Sequence, residues 1–268
     1  MSDTILESNA VADDYFQQSR RPLASLLFVL PLLAVYELGV AILGPQAIIN
    51  GADVWLRQLL LAVGVGSSLA LPALIVVILL AWHHTTAQPW RVRSSVLGGM
   101  AIECAVLAVV LLSCVQIQVW SFDKLELPLA RVVGGDVNVD VNANASGSAI
   151  VASSSLRTSF AHFVSYFGAG VYEETLFRLM LLPLCMAALR GAKFTPRTAV
   201  VIAVIVTSLL FSAAHHVGAS GEPLDPFPLF RFTFRFAAGV LFCAVFLFRG
   251  FGIAVGAHAV YDVLAGWW

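Results

Sequence analysis

The chain has 268 residues, 59% hydrophobic and only 12% charged, with a net charge of −1. Its mean hydropathy is +0.88. Soluble domains carry about 25% charged residues, so this composition excludes an ordinary soluble globular protein, and the charge balance gives no footing for nucleic acid. It fits an all-α polytopic membrane bundle. At ~20 residues per crossing, the length suits seven transmembrane helices, or eight, rather than two domains.

Residues 1–22 form a polar tail without the basic-then-apolar pattern of a cleaved signal peptide. Residues 23–120 hold the first membrane helices. Segment one runs from Leu23 to Leu43 and contains Pro31, Tyr36 and Glu37. The turn Asn50-Gly51-Ala52-Asp53 predicts a helix N-cap, and Val54 to Val65, interrupted by Arg57 and Gln58, is expected to lie at the interface. Segment two covers Ser68 to Trp82. His83 and His84 follow it as interfacial residues rather than ligands, since consecutive helical positions face different ways. Segment three, Val96 to Gln116, carries Glu103. Residues 121–156 are expected to be a loosely ordered extramembrane loop, because their GGDVNVDVNANASGSA core cannot bury enough apolar surface to fold. Asn144-Ala145-Ser146 within it matches a glycosylation triplet.

Residues 157–268 form the last region. Segment four, Thr158 to Leu189, is apolar apart from Glu173, Glu174 and Arg178 near its middle. Segment five, Ala199 to Ala214, leads into His215, and GASGEPLDPFP connects it to segment six, Leu229 to Phe248. Segment seven, Phe251 to Trp268, contains His258 and Asp262 and ends in two tryptophans. The cysteines Cys104, Cys114, Cys185 and Cys243 all lie in apolar runs, which predicts buried packing rather than disulfides. Alternate connections hold eight basic residues against five on the other side, counting Arg249 among the eight. The positive-inside rule then puts the N-terminus in the cytoplasm of a multi-pass cell-membrane protein.

Ionisable groups at bilayer depth cost roughly 2.5–3.5 kcal/mol each, so these three polar sets define the candidate site. Glu174 and Arg178, four apart, share a helix face and can neutralise each other. Glu173 has Leu176 and Phe177 at i+3 and i+4 and is left free. Counting 1.5 Å per residue from the flanking basic residues puts Glu173 and His215 level. The same count puts His258 and Asp262 several ångströms shallower. A glutamate with a histidine can activate water, and a second His/Asp pair can stabilise an oxyanion. Glu173, His215 and His258 could equally hold zinc. The remaining readings are a non-catalytic membrane immunity or binding protein and a proton-coupled transporter.

The patterns Glu173-Glu174…Arg178, Phe211…His215 and His258…Asp262, with the strings GAGVYEETLFR and GAHAVYD, resemble the CPBP family. That family comprises CAAX-processing type II prenyl endopeptidases and bacterial relatives in bacteriocin handling (the Abi proteins). The resemblance spans about residues 158–268 and implies an intramembrane endopeptidase acting on a membrane-associated protein or peptide. It implies that Glu173 and His215 activate water, that His258 and Asp262 line the oxyanion side, and that Glu174, Arg178 and Phe211 hold the site's shape. Many members have Asn where this chain has Asp262, so Asp262 either donates as the protonated acid or orients His258. The metal-free and zinc versions both remain open.

Overall fold

A computed structural model describes residues 15–125, 148–217 and 229–266, with side chains from Leu156 onward in the second of these stretches. The core of the low-complexity tract, the Asn144 triplet, the connection after segment five and the terminal tryptophans lie outside the described residues.

The described chain is helical, with no β-strand. A short helix α1 covers residues 15–19. It is followed by α2 (Pro22–Leu43), a 3₁₀ turn (Gly44–Gln46), α3 (Gly51–Ala62), α4 (Ala70–Thr85) and α5 (Ser94–Lys124). Next, α6 (Ser148–Gly168) runs without a break through two π-helical stretches, Ala169–Glu173 and Thr175–Leu181, into α7 (Leu182–Gly191). The chain ends with α8 (Pro196–Ala214), α9 (Leu229–Arg249) and α10 (Phe251–Ala265). Helix thus enters both ends of the tract 121–156 expected to be loop. Starts follow local chemistry: Pro22 and Pro196 occupy first-turn positions, and the Asn50 side chain accepts from the Asp53 N–H at 2.8 Å.

Among the described residues, four helices are long and apolar enough to cross a membrane: Pro22–Gln46, α5, α8 and α9. Length and composition do not establish the expected seven or eight; α4 and α10 are apolar but shorter than these four. The spanning helices turn large apolar side chains outward, among them Leu38, Ile42, Ile102, Val106 and Val109. Contiguous exposed apolar surface of this kind needs a lipid solvent, so the chain is an integral membrane protein.

α10 is the axis of the bundle, buried at every position from Phe251 to Ala259. One face joins a core with α2, α3, α4, α6 and the first π-helical stretch, through Phe251 and Val255. The other joins α2, α5 and α9 through Ile253, Ala254 and Ala257. Small side chains let neighbouring backbones approach it, the usual basis of helix association in lipid. Gly250, at φ +94°, supplies the left-handed residue that turns α9 back into α10.

Three arginines inside the bundle are paired. Arg249 grips Glu103 of α5 at 2.6 and 2.7 Å, and Tyr15 donates to the same carboxylate at 2.7 Å. Burial and that neighbouring carboxylate raise the Tyr15 phenol well above its usual range. Arg57 bridges Asp53 at 2.5 Å and Glu37 at 3.0 Å, with Tyr36 donating to Asp53 at 2.6 Å and Tyr172 to Glu37. The third, Arg178, belongs to the site below. Two local expectations change. His83 is fully buried with its ring edge-on to Trp90 at 4.6 Å, and Cys114 faces outward while Cys104 and Cys243 are buried.

Candidate active site

Glu173 closes the first π-helical stretch, and Glu174 is the single residue between the two. Such i→i+5 turns recur at functional sites, because widening a helix re-aims its side chains. Two features favour it locally. The Thr175 hydroxyl donates to the Val171 carbonyl at 2.7 Å and so competes for the helix ladder. A β-carbon at Gly170 would stand 2.9 Å from Ala259 Cβ and 3.0 Å from the Val255 carbonyl oxygen, so only glycine lets this stretch lie against α10. Gly170→Val is expected to lower stability by about 1–3 kcal/mol through overpacking. An unchanged unfolding midpoint in detergent would contradict this close packing.

The adjacent glutamates have different surroundings. Glu174 and Arg178 are both fully buried and lie 2.9 Å apart. Arg178 also donates to the Gly239 carbonyl of α9 at 3.3 Å and lies 4.2 Å from the centre of the Phe211 ring. Glu174 holds His258 as well, accepting from its Nδ1–H at 2.8 Å. Because Glu174 already faces a guanidinium as a carboxylate, the ring nitrogen must be the donor. The His258 ring is stacked on Phe242 of α9, with centroids 4.7 Å apart and planes at 17°. Its orientation is therefore set from α6–α7 and α9 together. Asp262 stands on the other side of the ring, 3.5 Å from Nε2.

His215 caps the C-terminus of α8 and donates its Nδ1–H to the Phe211 carbonyl at 2.8 Å. A carbonyl can only accept, so Nδ1 carries a hydrogen here too. Both imidazoles thus turn Nε2 towards one atom, Glu173 Oε2, at 3.4 Å from His215 and 3.8 Å from His258. That oxygen is buried and accepts no hydrogen bond from any described group. Phe211 braces the group, with its ring 4.8 Å from His215 and 6.1 Å from His258. A 690 Å³ cavity opens from Glu173, His215, His258 and Asp262.

His258 is therefore level with Glu173, not several ångströms shallower. The count from the basic residues misled because π-helix packs more residues into each turn, so Glu173 lies nearer Arg190 than 1.5 Å per residue implies.

Zinc would need its ligand atoms at ~2.0–2.2 Å from one point. Among the described residues, no group of three or more His, Cys, Asp or Glu side chains is arranged to hold a metal ion. Sequence reasoning missed Tyr166, Phe242, Tyr261 and the pair Arg231/Arg235 as residues of the cavity. The arginines carried a legible signal, two charges four apart at the start of an apolar segment.

Residues 155–264 match the family model described as type II CAAX prenyl endopeptidase Rce1-like, which is consistent with the CPBP family. The match covers every residue of the glutamate, histidine and aspartate set. No curated protein and no solved structure matches the chain.

Proposed function

We propose that this protein is an intramembrane endopeptidase that hydrolyses a peptide bond in a membrane-associated protein or peptide, using a water activated by Glu173. One observation carries the reading. A buried carboxylate oxygen that accepts no hydrogen bond from any described group faces the Nε2 atoms of two imidazoles whose Nδ1–H groups are committed elsewhere, at the wall of a cavity inside a lipid-facing bundle. The match of this segment to a protease family supports the reaction class, and its printed description makes prenylated CAAX ends the first substrate to test.

A water held between Glu173 and His215 loses a proton to Glu173 as its oxygen bonds to the substrate carbonyl carbon. The carbonyl oxygen becomes an oxyanion. His258, doubly protonated, donates its Nε2–H to that oxyanion while Nδ1–H stays on Glu174. Collapse breaks the carbon–nitrogen bond, and Glu173 returns the proton to the leaving amine. Asp262, beside Nε2, balances the imidazolium charge, while Glu174 and Phe242 orient the ring.

Full-length protein in nanodiscs, given an S-farnesyl peptide with a CAAX end in ¹⁸O-labelled water, is expected to yield a new C-terminus carrying ¹⁸O by mass spectrometry. Folded protein that cleaves neither this nor an unprenylated membrane-anchored peptide would sink the proposal. Zinc chelators are expected to leave the rate unchanged. A tightly held zinc lost with activity and restored with it would replace the shared water by a metal-bound one.

A further inference from the structure

The residues just before the first membrane helix line a second cavity, of 390 Å³, which shares no residue with the one at Glu173. Its wall includes Gln17, Arg20 and Arg21 from the junction of α1 and α2, and Trp82, Thr86 and Gln88 from the end of α4 and the turn after it. Arg57, Arg178 and Arg249 each have a carboxylate partner within the bundle, at 2.5, 2.9 and 2.6 Å. Among the described residues, Arg20 and Arg21 have none, and no acidic residue lines the cavity. Arg20 Nη2 makes one long bond, 3.5 Å, to the Leu247 carbonyl.

The backbone that carries the two arginines is held in place. A β-carbon at Gly250 would stand 3.3 Å from the Arg20 Cα and 3.3 Å from its carbonyl oxygen, so the junction lies directly on the turn between α9 and α10. Arg249 donates to the Ser19 hydroxyl at 3.0 Å. Arg21 is the N-cap residue of α2, and its side chain makes no cap bond. The positive end of a 22-residue helix therefore adds to the two guanidinium groups. Gln17 and Gln88 bring neutral donors to the same wall. That combination selects an anion.

Depth narrows which anion. Pro22 opens a helix long and apolar enough to cross a membrane, so Arg20 and Arg21 stand just outside the hydrocarbon, at the level of lipid phosphates. Trp82, 36% exposed, is the kind of side chain that settles at that level. Farther along, α2 and α4 turn Leu27, Leu30 and Val77 outward, a surface suited to acyl chains. At about 30 Å³ per water, the cavity has room for a headgroup rather than for a water or two.

We propose that this cavity binds the headgroup of an anionic phospholipid, with the phosphate between Arg20 and Arg21 and the acyl chains against α2 and α4. The guanidinium fork matches phosphate oxygens in parallel hydrogen bonds. A zwitterionic headgroup would bring its own cation to a wall that already holds two, so a net negative lipid is favoured. A soluble phosphate shares the head chemistry but gains nothing from the apolar flank.

Full-length protein, delipidated in detergent, is titrated with palmitoyl-oleoyl phosphatidylglycerol or phosphatidylcholine, and bound lipid is counted by native mass spectrometry. The first phosphatidylglycerol is expected to bind about 10- to 30-fold more tightly than phosphatidylcholine, the worth of two basic residues near a leaflet surface. Arg20→Gln with Arg21→Gln should lower phosphatidylglycerol to the level of phosphatidylcholine. Arg91→Gln removes an exposed charge from the connection between α4 and α5, outside the cavity, and should leave the preference intact. Should the double variant fail to accumulate, Gln88→Glu at an exposed position reads the same loss by placing a carboxylate in the cavity. Glycerol phosphate in large excess should not displace the lipid.

Equal affinity for the two lipids, or a preference that survives loss of both arginines or Gln88→Glu, would overturn the proposal. So would an equal loss from Arg91→Gln, which would mark bulk charge rather than a site. If glycerol phosphate bound as tightly as phosphatidylglycerol, the cavity would be a soluble-phosphate site and the lipid assignment would fall. None of these readouts depends on peptide cleavage, so the outcome is separate from the protease reading.

Discussion

The Glu173→Gln protein is expected to insert and accumulate like the parent chain while its turnover falls by about 10²–10⁴, the usual contribution of a positioned general base. Glutamine keeps the shape of the side chain but cannot take a proton from water. The fold should tolerate it because Glu173 Oε2 accepts no hydrogen bond from any described group, and the His215 and His258 rings stand 3.4 and 3.8 Å from it. Product release from the prenyl-peptide probe, measured beside folded yield by size-exclusion chromatography, separates chemistry from folding. Normal turnover would remove Glu173 from the role of base, whatever happened to yield.

Arg178→Ala is expected to do the reverse and fail at the level of the folded protein. The guanidinium is fully buried between the Phe211 and Phe242 rings, at 4.2 and 5.3 Å from their centres. Removing it leaves the Glu174 carboxylate buried with one imidazole N–H in place of a cation, which costs about 3–5 kcal/mol. The expected readout is a large loss of detergent-solubilised monodisperse protein and a lower unfolding temperature. Glu174→Gln in the same chain should recover part of the stability, since it removes the unpaired charge, but should not recover activity, because His258 loses its anionic anchor. Arg178→Ala protein that accumulates normally, with its unfolding temperature unchanged, would show that Glu174 is held by His258 alone.

The pairing of Glu174 with Arg178 was legible in the sequence alone. Four-residue spacing puts Glu174 beside Arg178 whatever surrounds the helix, and they do meet at 2.9 Å. Hydropathy alone also marked the chain as a helical membrane protein, because side chains that cannot be covered by protein must be covered by lipid. The four spans recognisable by length are those with long unbroken apolar runs. Local rules located the N-cap at Asn50 for the same reason: a cap bond closes within a few residues.

Contacts that cross the bundle were not legible. The bond from His258 to Glu174 joins residues 84 apart, and the one from Tyr15 to Glu103 joins residues 88 apart; no periodicity encodes either. Depth by counting failed at Glu173 because helical pitch was assumed to be constant, whereas the packing of Gly170 on α10 and the Thr175 back-bond accompany π-helix there. The residue types proposed to carry the chemistry were determined by the sequence. Which nitrogen of each histidine faces Glu173, and which arginines line the cavity, was decided only by the tertiary structure, since both depend on what the neighbouring helices bring to the same few ångströms.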